Sequence, residues 1–571
     1  MNSESGVPEF SAKADPPPGH PIEPRTLAGD PGSAKDDNSV GGTTFHHDGA
    51  AGGAASQDGG VVVSKTNSAP HFMQGMGLFS ATAIVMGSMI GGAIFIVPAD
   101  MSRVLGSPAL LIAAWLVTAV MTIIGALSYG ELAAMMPKAG GQYVYLRESL
   151  GSIWGFLYGW TLFLVIQTGT IAAVGVAFGK FLGVFFPSVS ATHWLWHIGH
   201  VPAWQVGPMV LGNMDIGLNT ANLAAIAIIT LLTLSNTRGV KLGAAVQNVF
   251  TSAKVLALLG IVAVGLVAKN AAAIAANFGV GWHAFFANAG WHTQHAVQVG
   301  VGGPIEYVGI FTVIGVVQVG SLFSADAWNN VTFTAAEIQN PKRNLPLSLA
   351  LGTGVVLLLY ILCNFVYLSV LPMVGAAGAA TVAGRGIQYA SQDRVATAVM
   401  EQAFSGLGAK LMAAAILVST FGCVNGMLLA GARVYYAMSR DGLFFKSAGK
   451  LSAKSATPVN SLWMQWAWTC LLCLSGSYGQ LLDYVIFAVL VFYILTIFGL
   501  FVLRRKRPDA ARPYKAFGYP VLPALYIVMA VWICGVLLRY KPQYTWPGLI
   551  LVLLGVPVYL VWKRHASRQA V

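Results

Sequence analysis

Two charged side chains stand in stretches whose neighbours are almost all apolar. Asp326 lies in Gly320-Ser321-Leu322-Phe323-Ser324-Ala325-Asp326-Ala327-Trp328-Asn329-Asn330, and Lys254 in Val249-Phe250-Thr251-Ser252-Ala253-Lys254. A carboxylate with two adjacent amides, or a lone ammonium, is costly inside a membrane helix unless it faces a cavity or a partner. A third stretch, Met86-Gly87-Ser88-Met89-Ile90-Gly91-Gly92-Ala93-Ile94-Phe95, packs three glycines into six residues, and glycine is a poor helix former. Where a helix breaks, the resuming half offers free N–H groups and a positive dipole end to a carboxylate, and the carbonyls of the broken turn accept from an ammonium. Together these features match the two charged groups of an α-amino acid.

Each residue also has a plainer reading. Gly87 and Gly91 fit a GxxxG surface for close helix packing. Asp326 can cap a helix break, meet a substrate amine or cationic side chain, or carry a proton. Lys254 lies about 13 residues along its segment, too deep to reach the interface as terminal lysines do. It can tie two helices together or take a coupling, proton-sensitive role. Glu131, near the end of the second apolar segment, suits a gate, an ion pair or a cap. His193, His197 and His200, spaced i, i+4, i+7, could share a helical face as a metal site. Their companions Trp194, Trp196 and Trp204 instead give the composition of a membrane interface, as does the run from Trp282 through Phe285 and Phe286 to Trp291. The interface reading is preferred, and neither metal nor cofactor is called for.

These residues must be positioned by a membrane protein. Of 571 residues, 56% are hydrophobic and only 9% charged, far below the quarter typical of soluble chains. Apolar segments fall at about 75–103, 108–136, 151–186, 216–236, 241–267, 306–337, 346–371, 408–438, 459–476, 480–503, 520–538 and 546–562. Each is long enough to cross a bilayer, which takes about 20 residues. The five cysteines (Cys363, Cys423, Cys470, Cys473, Cys534) all lie in such segments, so no disulfide framework is expected. Residues 1–70 hold nine acids and four bases. Rich in Pro, Gly, Ser and Asp, they read as a disordered tail and not as a cleaved signal peptide. The domain reading is therefore a tail over 1–70, a core over 71–505, and two more helices with a C-terminal tail over 506–571. Lys and Arg crowd alternate connections, notably Arg504-Arg505-Lys506-Arg507, which places both termini in the cytoplasm. The basic balance marks one side of a membrane, so a nucleic-acid partner is not expected.

The weak stretches near 87 and 320 each open a block of five helices, the sequence pointer to an inverted-repeat transporter with its site at mid-membrane. At these residues the chain resembles the amino acid–polyamine–organocation superfamily, most closely its L-type amino acid transporter branch. The resemblance covers roughly residues 72–505. It rests on Gly87–Phe95, Tyr129-Gly130-Glu131-Leu132, Pro137–Tyr143, Phe323–Asn330, Glu337–Pro346 and Phe421–Gly426. It implies an all-α membrane fold of twelve transmembrane helices, a LeuT-type 5+5 inverted repeat plus two helices. It also implies a carboxylate site on the backbone from Ser88 through Ile90 and Gly91 to Gly92, with Phe323, Ser324 and Asp326 around the amine. Phe323 would be an outer gate, Asn329 and Asn425 would lie near the pocket, and Lys254 would replace a sodium site. Many relatives carry small residues where this chain has Asp326, so their substrate preferences do not transfer. The connection after the third segment lacks a cysteine, so no disulfide-linked heavy chain is expected.

The leading function is sodium-independent secondary amino acid transport, by exchange or proton coupling, in the plasma (inner) membrane. A cationic amino acid or polyamine permease of the same fold is the alternative, and a transporter-derived sensor or channel is a different class. An enzyme is disfavoured because no Ser-His-Asp set or HExxH appears. A primary pump is disfavoured because no GxxxxGK[ST] loop appears.

Overall fold

The computed structural model describes residues 72–568, apart from 203, 207–208, 212–213, 301–302 and 475–477. The tail expected over 1–70 lies outside the described residues. Among the described residues, nine helices are long and apolar enough to cross a membrane unaided, including Pro108–Met135 (span 2), Ser152–Leu182 (span 3), Thr220–Thr237 (span 4), Val240–Val267 (span 5) and Pro341–Val370 (span 7). Span 8 belongs to Val395–Arg440, which kinks at Phe404 and Ser405, so its crossing part begins after that kink. Span 9 is the shorter Val459–Cys473. Span 10 lies in Tyr478–Lys506, span 11 is Val521–Tyr540 and span 12 lies in Pro542–Arg568.

The two remaining spans are broken. Span 1 runs as helix over Leu78–Met89, turns once at Ala93–Phe95 and resumes over Val97–Leu105. Span 6 runs over Ile310–Ser324, loses regularity over 325–329 and resumes over Asn330–Phe333 and Ala335–Glu337. At about 1.5 Å per residue, none of these pieces alone crosses a hydrocarbon core of about 30 Å. Each pair makes one crossing. The breaks lie five spans apart, which is the inverted-repeat arrangement.

Small residues let the first half of span 1 wedge between its neighbours. A Cβ on Gly87 would lie 1.9 Å from Gln247 Nε2 and 2.3 Å from Thr251 Oγ1 of span 5, and one on Gly352 of span 7 would lie 2.5 Å from Val85. A Cβ on Gly91 would meet only Cys423 Sγ, at 3.5 Å. The two glycines read as one packing motif therefore divide. Gly87 serves close approach, and Gly91 belongs to the break.

The connection after span 3 forms strands, not the helical face on which His193, His197 and His200 could have stood. Trp194–Val201 pairs antiparallel with Met214–Asn219, and its two tryptophans with Ile198 and Val201 suit a strand. A register shift between His197 and Gly199 brings His197 Nε2 and His200 Nδ1 to the same Asp215 oxygen, at 3.3 and 3.0 Å. Hydrogen bonds from His200 and His197 hold that carboxylate below its ordinary range. A carboxylate thus does join two of the histidines, while His193 turns to the Ser188 carbonyl at 3.3 Å. Among the described residues no group of three side chains is placed to hold a metal. On the next long connection Trp282, Phe286 and Trp291 are exposed while Phe285 is buried, and the Phe285 carbonyl accepts from Ala109 N.

Buried ion pairs lock the basic side. Glu337, at the end of span 6, accepts from Arg433 Nε and Nη2 of span 8 at 3.1 and 2.9 Å, and both side chains are 1% exposed. The Glu337 carbonyl also takes the amides of Gly75 and Met76, so the chain entering span 1 rests on this pair. Removing one partner of a buried pair costs about 3–5 kcal/mol, whereas apolar replacement of both is often neutral. Arg433→Met should therefore lower thermal stability in detergent sharply, and Arg433→Met with Glu337→Leu should recover most of it. Equal melting temperatures for the single variant and the wild type would refute this role.

Candidate functional site

The break in span 1 exposes backbone groups on both sides of the peptide, and the protein uses only one side. Lys254, 1% exposed, donates from Nζ to the Gly87 carbonyl at 2.7 Å and the Ile90 carbonyl at 2.8 Å. Ser419 Oγ donates to the carbonyls of Ile90 and Gly91 at 3.0 and 3.2 Å. Cys423 Sγ reaches the Ser88 carbonyl at 3.2 Å, and Tyr360 the Met89 carbonyl at 3.1 Å. Every carbonyl from Gly87 to Gly91 is thus occupied. The amides of Gly92, Ala93 and Ile94 donate to no group among the described residues. Ser88 Oγ is buried without a partner. Ser88, Gly92 and Ala93 line one cavity, and successive unpaired N–H groups are the kind of backbone that can bind an anion.

The break in span 6 is shaped by Ala327, a non-glycine residue at φ +63. That conformation costs roughly 1–2 kcal/mol and clusters at functional sites. The Tyr360 hydroxyl of span 7 lies 3.1 Å from both the Met89 and the Ser324 carbonyls. It therefore joins the last turns of the two interrupted helices. Asp326 Oδ1 accepts from Tyr493 Oη of span 10 at 2.6 Å.

Three cavities meet at Asp326. The first, about 330 Å³, is lined by Ser88, Gly91, Gly92, Phe323, Ser324 and Cys423, among others. The second, about 350 Å³, shares Thr170, Asp326 and Ala327 with the first and continues along Gln142, Gln167 and Asn330. The third, about 300 Å³, lies behind Asp326 against Trp328, Leu490 and Tyr526. Span 3 opens into a π-turn at Leu162–Ile166, a distortion frequent at functional sites. It carries Gln167 and Thr170 to the second cavity.

A family model described as amino acid permease matches residues 76–559. This chain belongs to the amino acid permease family. Relatives include the serine/threonine exchanger SteT of Bacillus subtilis, 26% identical over 494 residues covering 86% of this chain and 97% of that one. The large neutral amino acids transporter small subunit 2 of Mus musculus is 28% identical over 508 residues, 86% of this chain and 82% of the other. The b(0,+)-type amino acid transporter 1 of Mus musculus is 27% identical over 511 residues, 86% and 90% respectively.

The permease brings most of the expected site residues together. Ser88, Gly91, Gly92, Phe323, Ser324 and Asp326 line one cavity, with the half-buried Phe323 on its wall and Ser324 Oγ bonded back to the Gly320 carbonyl at 2.9 Å. Ile90 takes part through its carbonyl alone. Asn329 lines the second cavity and donates to Gln142 Oε1 at 2.7 Å. Asn425 is placed elsewhere. Fully buried, it accepts from Asn236 and donates to Gln247 Oε1 and the Gly243 carbonyl, knitting span 8 to spans 4 and 5. Glu131 is likewise fully buried and away from the cavities. It accepts from Arg504 at 3.0 and 2.6 Å, lies 3.3 Å from Arg512 Nε and takes the Ala516 amide at 2.7 Å. Its reading as an ion pair is the one with partners in place.

Sequence reasoning missed Tyr360, Tyr493 and Gln167, because a hydroxyl or amide within an apolar helix does not announce which way it faces. The free amides after Gly91 generate a direct expectation. Gly91→Leu should weaken substrate binding by roughly a hundredfold, the scale that an ångström of misplacement costs, while the protein still inserts and purifies as a monodisperse species. Unchanged affinity in a binding titration would remove the break from the site.

Proposed function

We propose that this permease is a secondary transporter of amino acids that works by alternating access without sodium. The observation that carries the reading is the division of labour at the break in span 1. Its carbonyls are filled by Lys254 and three neighbouring side chains, and three adjacent amides stay free, those of Gly92 and Ala93 on residues that line a cavity. The amides of Gly92 to Ile94 and the Ser88 hydroxyl receive the substrate carboxylate. Asp326 receives the α-ammonium, with Phe323 as the gate over it. The printed names of the relatives, an exchanger of serine and threonine and two amino acid transporters, support the same class of cargo.

Sodium-independence follows from the ammonium in place. At about 4 Å, two unit charges repel by about 4 kcal/mol even at an effective dielectric of 20, so a cation is not accommodated beside Lys254. Lys254 is assigned the coupling role, in exchange or proton movement. The basic connections face the cytoplasm with both termini, in the plasma membrane. The core ends near 505, with spans 11 and 12 appended. No cysteine occurs in residues 183–219 after span 3, so no disulfide-linked partner chain attaches there.

Proteoliposomes loaded with an unlabelled amino acid test the proposal. Labelled uptake should saturate, accelerate several-fold over empty vesicles, and be equal in sodium and choline buffers. A strict sodium requirement would contradict the reading, and uptake that rises without saturation would indicate a channel.

A further inference from the structure

The charges and unpaired groups around Asp326 specify the side chain of the cargo, given the transport reading above. Among the described residues, Asp326 is the only acidic one lining the three cavities, and no Lys, Arg or His lines any of them. The other buried carboxylates nearby, Glu131 and Glu337, are held by arginines. A zwitterionic amino acid uses the available charges completely, its carboxylate on the span 1 amides and its ammonium on Asp326. A further charge on the side chain, of either sign, would then be buried without a counter-charge, which a low-dielectric site does not tolerate.

The second cavity borders the first along Thr170, Asp326 and Ala327, and four amides, Gln142, Gln167, Asn329 and Asn330, stand among the apolar side chains of its lining. Most of them are spent. Asn329 donates to Gln142, and Gln142 Nε2 donates to Thr496 Oγ1 at 3.1 Å. Two residues keep unpaired groups. Asn330 is 2% exposed, and its Nδ2 is buried with no partner. Gln167 is oriented by a 2.8 Å bond from Nε2 to the Met427 carbonyl, and its Oε1 accepts nothing among the described residues. An unpaired donor and an unpaired acceptor thus sit on residues lining the cavity that borders the backbone site. Buried polar groups are ordinarily paired, and an unpaired one signals a missing partner.

We propose that this cavity is the side-chain compartment and that it selects uncharged amino acids with a hydrogen-bonding side chain, the carboxamides glutamine and asparagine foremost. A carboxamide offers one acceptor to Asn330 Nδ2 and one donor to Gln167 Oε1. An apolar side chain of the same size leaves both unmatched, and a site built to hydrogen-bond its ligand discriminates strongly against the analogue lacking those groups.

The test is the initial rate of uptake, at low concentration, of six labelled amino acids into proteoliposomes loaded with the same compound. Glutamine should exceed methionine, and asparagine should exceed leucine, by about tenfold or more, with glutamate and lysine no better than the apolar pair. Asn330→Leu should shrink both ratios several-fold, and Gln167→Met should do the same independently. Leucine or methionine carried as fast as the carboxamides by the wild type would overturn the inference while leaving amino acid transport intact. So would glutamate or lysine leading the panel, or wild-type ratios in both variants. Uptake of none of the six would overturn the transport reading itself.

Discussion

The structure depends on one ammonium held by two carbonyls. A membrane helix that stops at mid-depth leaves backbone groups that hydrocarbon cannot satisfy, at several kcal/mol each. In span 1 the carbonyl side of that debt falls to Lys254, whose Nζ reaches the carbonyls of Gly87 and Ile90 from span 5. Serine, cysteine and tyrosine side chains from spans 7 and 8 complete the set. With the carbonyls occupied, the amides of Gly92, Ala93 and Ile94 stay unpaired, the first two on residues that line the cavity. Charge supplied from behind the break thus decides which polarity the front presents.

The same economy extends to span 6. Tyr360 has one hydroxyl proton and two carbonyls within 3.1 Å, so the ends of both interrupted helices share a donor on span 7. Movement of either break changes what the other must satisfy. This is a physical route by which a ligand on one half-helix biases the other. The buried pair of Glu337 and Arg433 secures the opposite end of the second half of span 6 and the entry into span 1. The first half of span 1 is therefore fastened at its far end by the ion pair and at its near end by Tyr360 and Lys254.

Much of this was legible in residue order, for reasons that differ from place to place. The breaks could be read because glycines, a carboxylate and paired amides are expensive in apolar helices. Lys254 could be read because its depth rules out reaching the interface. Asn425 was assigned to the pocket by family resemblance, but it faces span 5, and residue type alone does not fix a helix face. Gly87 and Gly320 looked like parts of the breaks. Each serves close packing instead, Gly320 with a Cβ position 2.5 Å from Val97, and the helices run on to Met89 and Ser324. The histidine spacing suggested a helix where the chain pairs as a hairpin, because strand pairing depends on a partner segment that local periodicity does not contain. The partners of Glu131 lie more than 370 positions away in sequence, beyond any local signal.

The central claim is that the Lys254 ammonium holds span 1 in its binding geometry. Its most direct test is the affinity of purified Lys254→Ala for a transported amino acid, measured by binding titration against the wild type at equal folded fraction. Losing the ammonium leaves the Gly87 carbonyl buried and unsatisfied, at about 1–3 kcal/mol. The account predicts affinity at least about tenfold weaker, partly restored by millimolar methylammonium, which fits the space vacated. Wild-type affinity in Lys254→Ala would contradict it.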